Sequence, residues 1–308
     1  RSDSVSTGHD HAPQGTHRGK LAIAFGITAT ILVAELIGAW WTNSLALLVD
    51  AGHMLTDASG LLMALIAANL ALRPPTPVRT WGWRRSEVLA AGAQAAVLLG
   101  VGVYAFVEGV RRLWTPPEVT AGGLLVFGIV GLVGNIVSML VLSSGRGANL
   151  NMRAAFLEVV NDALGSVAVI VSAVVIALTG WTRIDALAGM LIATLIVPRA
   201  ITILREAGSI LLESTPPGLN LEEVRRHILE VPHVVGVHDL HASTIATGLP
   251  VLTAHVVVEE ACFADGHAAQ MLTDLQACVA DHFDVSVEHS TFQLESPDHA
   301  QREHTTHT

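Results

Sequence analysis

Six apolar stretches, near residues 20–42, 44–70, 87–112, 120–143, 152–179 and 184–209, dominate this chain of 308 residues. Each reaches the roughly 20 residues a helix needs to cross a hydrocarbon core about 30 Å thick. In lipid every backbone amide must find its partner within the chain, so such stretches fold as helices. Composition agrees: the chain is 51% hydrophobic and 14% charged, with a mean hydropathy of +0.52, where soluble domains carry roughly 25% charged residues. Intrinsic disorder and a coiled coil are excluded. The first apolar run is too long for a cleaved signal peptide, and Arg1 in place of Met places the native start upstream.

Charge divides the chain in two. Residues 1–213 hold 14 basic and 13 acidic residues, whereas 214–308 hold 3 and 14. The total of −10 offers no basic footprint for nucleic acid. Lys and Arg in short loops stay cytoplasmic: Arg1, Arg18 and Lys20 precede the first span, Arg73, Arg79, Arg84 and Arg85 fill the second loop, and Arg146 and Arg153 flank the fourth. Both termini are therefore expected in the cytoplasm. After Pro216 and Pro217 the hydrophobic period changes to that of a small soluble domain: a helix near 219–231, strands near 234–246 and 250–259 joined at Gly248, a helix near 265–283 and a strand near 285–294. That order fits an open-faced α+β sandwich. The expected organisation is a polar, disordered tail over 1–19, a transmembrane domain over 20–212, a cytoplasmic domain over 213–296 and a second disordered tail over 297–308. Cys262 and Cys278 make no disulfide framework and read as half-buried residues of a reduced domain.

A charge at the bilayer centre costs about 2.5–3.5 kcal/mol even on the lenient insertion scale, so each one requires an explanation. Asp50, His53 and Asp57 stand at i, i+3 and i+7 in the second span, on one helical stripe. Glu158 and Asp162 stand four apart in the fifth. Lys and Arg are nearly absent from the spans, which makes a bound cation the economical counter-charge. At about 1.5 Å per residue His53 and Asp57 lie about 14–20 Å from Ser44, and the fifth-span pair lies at a similar depth from the other face. His53, Asp57, Glu158 and Asp162 thus supply one imidazole and three carboxylates, a four-ligand set suited to Zn²⁺. Imidazole favours Zn²⁺, Co²⁺ or Ni²⁺, while the oxygens also admit Mn²⁺ or Fe²⁺. Asp50 is either a ligand relay or a cap near the outer face. Asn135 and Asn161 read as interhelical donors, Gly128, Gly131 and Gly134 as a close-packing stripe, and Glu35 and Glu108 fit no pattern.

The runs SLALLVDAGHMLTD at 44–57, RTWGWRRSEVLAA at 79–91, NMRAAFLEVVNDALGS at 151–166 and VHDLH at 237–241 resemble the cation diffusion facilitator family, over almost everything from Lys20 to Glu295. The resemblance implies a homodimeric transporter of six transmembrane helices in the inner membrane, a metal/proton antiporter rather than an enzyme. It further implies a ferredoxin-like cytoplasmic domain able to hold regulatory Zn²⁺, with His238, His255, His267 and His289 as candidate ligands. The family's paired motifs fall on His53 and Asp57, then Glu158 and Asp162. Glu158 stands where zinc-selective relatives carry a second His, Ala242 and Ser243 follow His241 where an aromatic residue is usual, and the loop before the fifth span has no His. Export of Zn²⁺, with Co²⁺ or Cd²⁺ as further cargo, in exchange for protons is the expected function. A carrier of Mn²⁺ or Fe²⁺, a channel and a membrane-anchored metal sensor are the alternatives.

Overall fold

The computed structural model describes residues 14–71, 73–143, 150–264 and 266–302. It divides into two compact units, one formed by residues up to Leu62 with Gln94–Thr202 and the other by Met63–Ala93 with Ile203 onward. Six long helices come first: α1 (Gln14–Thr42), α2 (Leu45–Ala71), α3 (Ser86–Trp114), α4 (Ala121–Ser143), α5 (Leu150–Thr179) and α6 (Arg183–Leu211). Among the described residues five of these, all but α2, are long and apolar enough to cross a membrane. α1 runs from Gln14, ahead of the start expected near residue 20. Of the tail expected over 1–19, residues 1–13 lie outside the described residues.

In the first unit Leu45, Leu47, Val49, Leu98, Leu124, Val169, Ile192 and Ile196 form the core. Val33, Leu140 and Leu195 face outward, as helices solvated by lipid require. The inward stripe of α4 is Leu124, Gly128, Gly131, Asn135, Ser138 and Leu142, spaced alternately by three and four as one helical face demands. Gly131 is needed there: a Cβ would stand 2.7 Å from Glu35 Oε1 and 2.9 Å from Ser166 Oγ, so its absence lets α1 and α5 close on α4. Asn135 donates to Ser166 Oγ at 3.3 Å, an interhelical bond of the expected kind, whereas Asn161 is exposed. Glu108 accepts from Arg112 at 2.9 Å and Arg111 at 3.3 Å, near the end of its own helix.

The second unit carries α7 (Leu221–Leu229), β1 (Val234–Ala246), β2 (Leu249–Val258), α8 (Ala261–Ala264), α9 (His267–Asp281), β3 (His289–Glu295) and α10 (Pro297–Ala300). The three strands lie in the order β1-β2-β3, β1 antiparallel and β3 parallel to β2. Asn220 starts α7 by accepting from the amides of Glu222 and Glu223, and Gly248, at φ 73°, turns the hairpin. Leu252, Ala254, Val256 and Val258 of β2 are all buried with Val224 and Ile228 of α7 and Met271, Leu275 and Val279 of α9. The period of two therefore leaves the intervening residues of β2, His255 among them, on the other face. β3 begins at His289 because residues 282–285 form bends. α10 replaces part of the expected disordered tail: Ser296 caps it through the His299 amide with Pro297 at the first position, a preferred helix start. Within this unit Arg85 pairs with Glu213 at 2.9 Å, Glu87 accepts from the Thr247 amide at 2.9 Å, and Trp81 meets His289 edge to face at 4.8 Å. These contacts group the segment before Ala93 with the C-terminal part, although by composition it belongs with the spans.

Candidate metal sites

α2 and α5 bring His53, Asp57 and Asp162 together, with one ligating atom from each within 4.8 Å of the others. His53 Nδ1 lies 3.3 Å from Asp57 Oδ2, and its Nε2 lies 3.7 Å from Glu158 Oε1 and 3.9 Å from Asp162 Oδ1. Ligand bonds of about 2.0–2.1 Å around a tetrahedral ion put the ligand atoms about 3.3–3.4 Å apart, so the cluster needs only small adjustments to close on one. The imidazole offers its two nitrogens to opposite sides. An ion on Nε2 faces the α5 carboxylates, and an ion on Nδ1 faces Asp57.

Glu158 is already engaged. Arg199 of α6 donates to Glu158 Oε1 in a close ion pair, so one of the three carboxylates has a protein counter-charge that the scarcity of basic residues in the spans concealed. Side-chain exposure falls steadily along the cluster, from 44% at Arg199 through 25% at Glu158, 18% at Asp57 and 9% at His53 to 4% at Asp162. The cluster is thus most exposed at Arg199 and most buried at Asp162.

Asp50 does not cap α2. Ser44 Oγ accepts from the Leu47 amide, and the Asp185 carboxylate, reaching over from α6, pairs with the Ser44 hydroxyl and accepts from the amides of Leu45 at 2.6 Å and Ala46 at 3.4 Å. A carboxylate at a helix N-terminus satisfies orphan amides and meets the positive end of the helix dipole. Asp185 thereby ties the N-terminal end of α2, and the height of His53 with it, to α6. Asp50 instead packs over Gly165, where a Cβ would stand 3.3 Å from Oδ2. Both of its oxygens and both of Glu35 are buried without a hydrogen-bond partner among the described residues.

The second cluster lies on the β-sheet face opposite the helices. His238 and His255 are directly paired across β1 and β2, with ring centroids 5.1 Å apart. Adjacent strand residues ordinarily face opposite ways, but the ladder shifts register between His238 and His241, and Asp239 adopts φ 46°. This bulge turns the Asp239 carboxylate back to 3.1 Å from His238 Nδ1. Glu295 of β3, almost fully buried, reaches His255 Nδ1 at 2.7 Å with one oxygen and His238 Nε2 at 3.2 Å with the other. His238, Asp239 and His255 offer ligand atoms within 4.8 Å of one another. His267 and His289 stand elsewhere, the first near His233 with ring centroids 6.1 Å apart and the second on Trp81.

Sequence reading alone missed Arg199, Asp185, Asp239 and Glu295. Only Asp239 carried a local signal, its place between the two histidines of VHDLH.

Comparison with known proteins places both clusters in context. Residues 21–212 match the model of the cation efflux transmembrane domain, and residues 216–297 match that of the cation efflux protein cytoplasmic domain. The chain is 40% identical over 291 residues to the metal cation efflux system protein CzcD of Cupriavidus metallidurans, covering 94% of this chain and 90% of that one. It is 38% identical over 287 residues to the zinc transporter ZitB of Escherichia coli, covering 92% and 90%. Against the cadmium, cobalt and zinc/H(+)-K(+) antiporter of Bacillus subtilis it is 37% identical over 255 residues, covering 82% of each. This multi-pass membrane chain therefore belongs to the cation efflux, or cation diffusion facilitator, family, whose members are transporters and not enzymes.

Proposed function

We propose that the protein exports divalent metal ions, Zn²⁺ foremost, across the inner membrane in exchange for protons. The observation that carries this reading is the meeting of His53, Asp57 and Asp162 between two helices of a transporter fold. The imidazole favours Zn²⁺ and Co²⁺ over Mn²⁺. The names of the relatives, which include a zinc transporter and a cadmium, cobalt and zinc antiporter, support cargo of that class. Ligating imidazole must be neutral and ligating carboxylates ionised, so metal entry displaces any protons these groups carry, and proton competition on the acidic side releases the metal. His53 is the natural proton acceptor of the set.

In this reading α2 is the sixth span, residues 20–212 form the transport domain and both termini are cytoplasmic. Residues 213–296 form a ferredoxin-like domain through which two copies pair. His238, Asp239, His255 and Glu295 there hold a regulatory metal ion. With 3 basic against 14 acidic residues beyond position 213, metal-free copies of this domain repel one another, and bound metal draws them together, less so at high salt.

The test is uptake of Zn²⁺ into inverted vesicles under an imposed pH gradient. Uptake that follows the gradient in the native protein and loses its pH dependence in His53→Ala supports the exchange. Uptake indifferent to collapsing the gradient rules it out, and a fast ohmic current identifies a channel.

A further inference from the structure

We propose that Arg199 sets the charge of the transport site, neutralising Glu158 so that the remaining carboxylates match one divalent cation. The inference rests on the transport reading of the His53 cluster and adds a specificity-determining residue to it. Once a metal ion is bound, its ligating groups are deprotonated; Asp57, Glu158 and Asp162 then carry three negative charges around a neutral imidazole, and Arg199 contributes one positive charge through its close pair with Glu158. The sum is two negative charges, the complement of a divalent ion and of neither a monovalent nor a trivalent one.

Three observations support the assignment. Arg199 is the cation ion-paired with this cluster among the described residues. It stands at the most exposed end of the cluster, whose exposure falls from Arg199 to Asp162. Its guanidinium is always charged and presents a planar fork suited to a carboxylate, so the compensation does not vary with pH. Glu158 then serves as the anchor of Arg199 rather than as an equal fourth ligand, and His53, Asp57 and Asp162 hold the ion.

The consequence is a charge-compensation pattern that a direct-ligand role for Glu158 does not produce. Arg199→Met leaves one negative charge in excess: the ion binds more tightly and leaves more slowly, so KM for Zn²⁺ and turnover both fall. Glu158→Gln strands the guanidinium beside the site and raises KM. Each change is roughly tenfold or more, as unit charges several Å apart in partly buried surroundings imply. The double variant Glu158→Gln/Arg199→Met restores the balance and returns both parameters to near native values. Arg199→Lys, which keeps the charge, stays near the native KM.

The experiment is Zn²⁺ flux by the full chain in proteoliposomes, with KM and turnover measured for all four variants and Asp162→Asn run alongside. Recovery in the double variant, with opposite shifts of KM in the two singles, is the expected result. A double variant as impaired as Glu158→Gln, a higher KM in Arg199→Met, or a tenfold change in Arg199→Lys overturns the proposal while leaving the transport site in place. Native flux in Asp162→Asn instead removes the transport reading itself, and this inference with it.

Discussion

The two histidine–carboxylate clusters are built from similar side chains on opposite structural principles. In the membrane unit His53 and Asp57 come from α2, Glu158 and Asp162 from α5 and Arg199 from α6, so the site exists only while three separate helices hold a particular arrangement. In the cytoplasmic unit His238, Asp239, His255 and Glu295 come from three strands of one sheet, whose backbone ladder fixes their spacing. Helices can shift against one another on small-residue contacts, while paired strands cannot slide without exchanging every hydrogen bond. A site spread over helices suits cargo that must be taken up and released, and a site within a sheet suits an ion that stays. Charge follows the same division: the membrane cluster contains a guanidinium, whereas Asp239 and Glu295 pair with imidazoles.

This contrast is broken most forcefully at the membrane ligands. Asp162→Ala or Asp57→Ala should reduce Zn²⁺ flux in vesicles by about two orders of magnitude or more, as loss of a ligating carboxylate and its charge implies. The thermal midpoint and dimer content of the purified variants should remain near native. Full flux in Asp162→Ala would remove the membrane half of the comparison. A smaller effect is expected from His53→Asp, which replaces the nitrogen donor by oxygen: competition assays should show preference moving from Zn²⁺ toward Mn²⁺. An unchanged metal order places selectivity outside these ligands.

The cytoplasmic half should respond differently. The His238→Ala/Asp239→Ala variant should retain flux within about threefold of native, because a site fixed within a sheet tunes the carrier without carrying cargo. The native chain should retain metal through gel filtration and this variant should not, and spin labels on the two cytoplasmic domains of the variant should fail to approach when Zn²⁺ is added. Loss of flux as complete as in Asp162→Ala would erase the distinction between the sites. The smallest effect concerns Cys278, whose thiol is pushed up from its usual range by burial and secondarily by Glu230. The folded domain therefore disfavours the thiolate. Its contribution to stability is full below the ordinary thiol range and is lost as pH rises through and above it. Iodoacetamide should label Cys278 slowly in the folded protein at pH 8 and quickly once urea unfolds the domain.

What the sequence disclosed follows from how local each determinant is. The stripe of Asp50, His53 and Asp57 and the pair Glu158 and Asp162 were legible because helical spacing places i and i+4 on one face. β1 and β2 were legible to within a residue or so because strand residues alternate and Gly248 marks the turn. The cap of α2 was not, since Asp185 lies 141 positions from Ser44. Arg199 is 41 positions from Glu158 and on another helix, and only the tertiary fold makes them partners. Asp239 and Glu295 depended on a bulge and on strand register, neither of which leaves a clear periodic trace. Of the four candidate cytoplasmic histidines, the register of β1 and β2 joins His238 and His255, while His267 begins a helix and His289 opens β3 against Trp81.

The central claim is that His53, Asp57 and Asp162 hold the transported ion while Glu158 remains with Arg199. Anomalous scattering at the zinc edge from crystals of the full chain grown with Zn²⁺ examines it directly. A peak about 2.0–2.2 Å from one His53 nitrogen and from oxygens of Asp57 and Asp162, with the Arg199–Glu158 pair intact, is the expected result. A peak between α2 and α5 with Glu158 in direct coordination and Arg199 swung away, or no peak there at all, would contradict it.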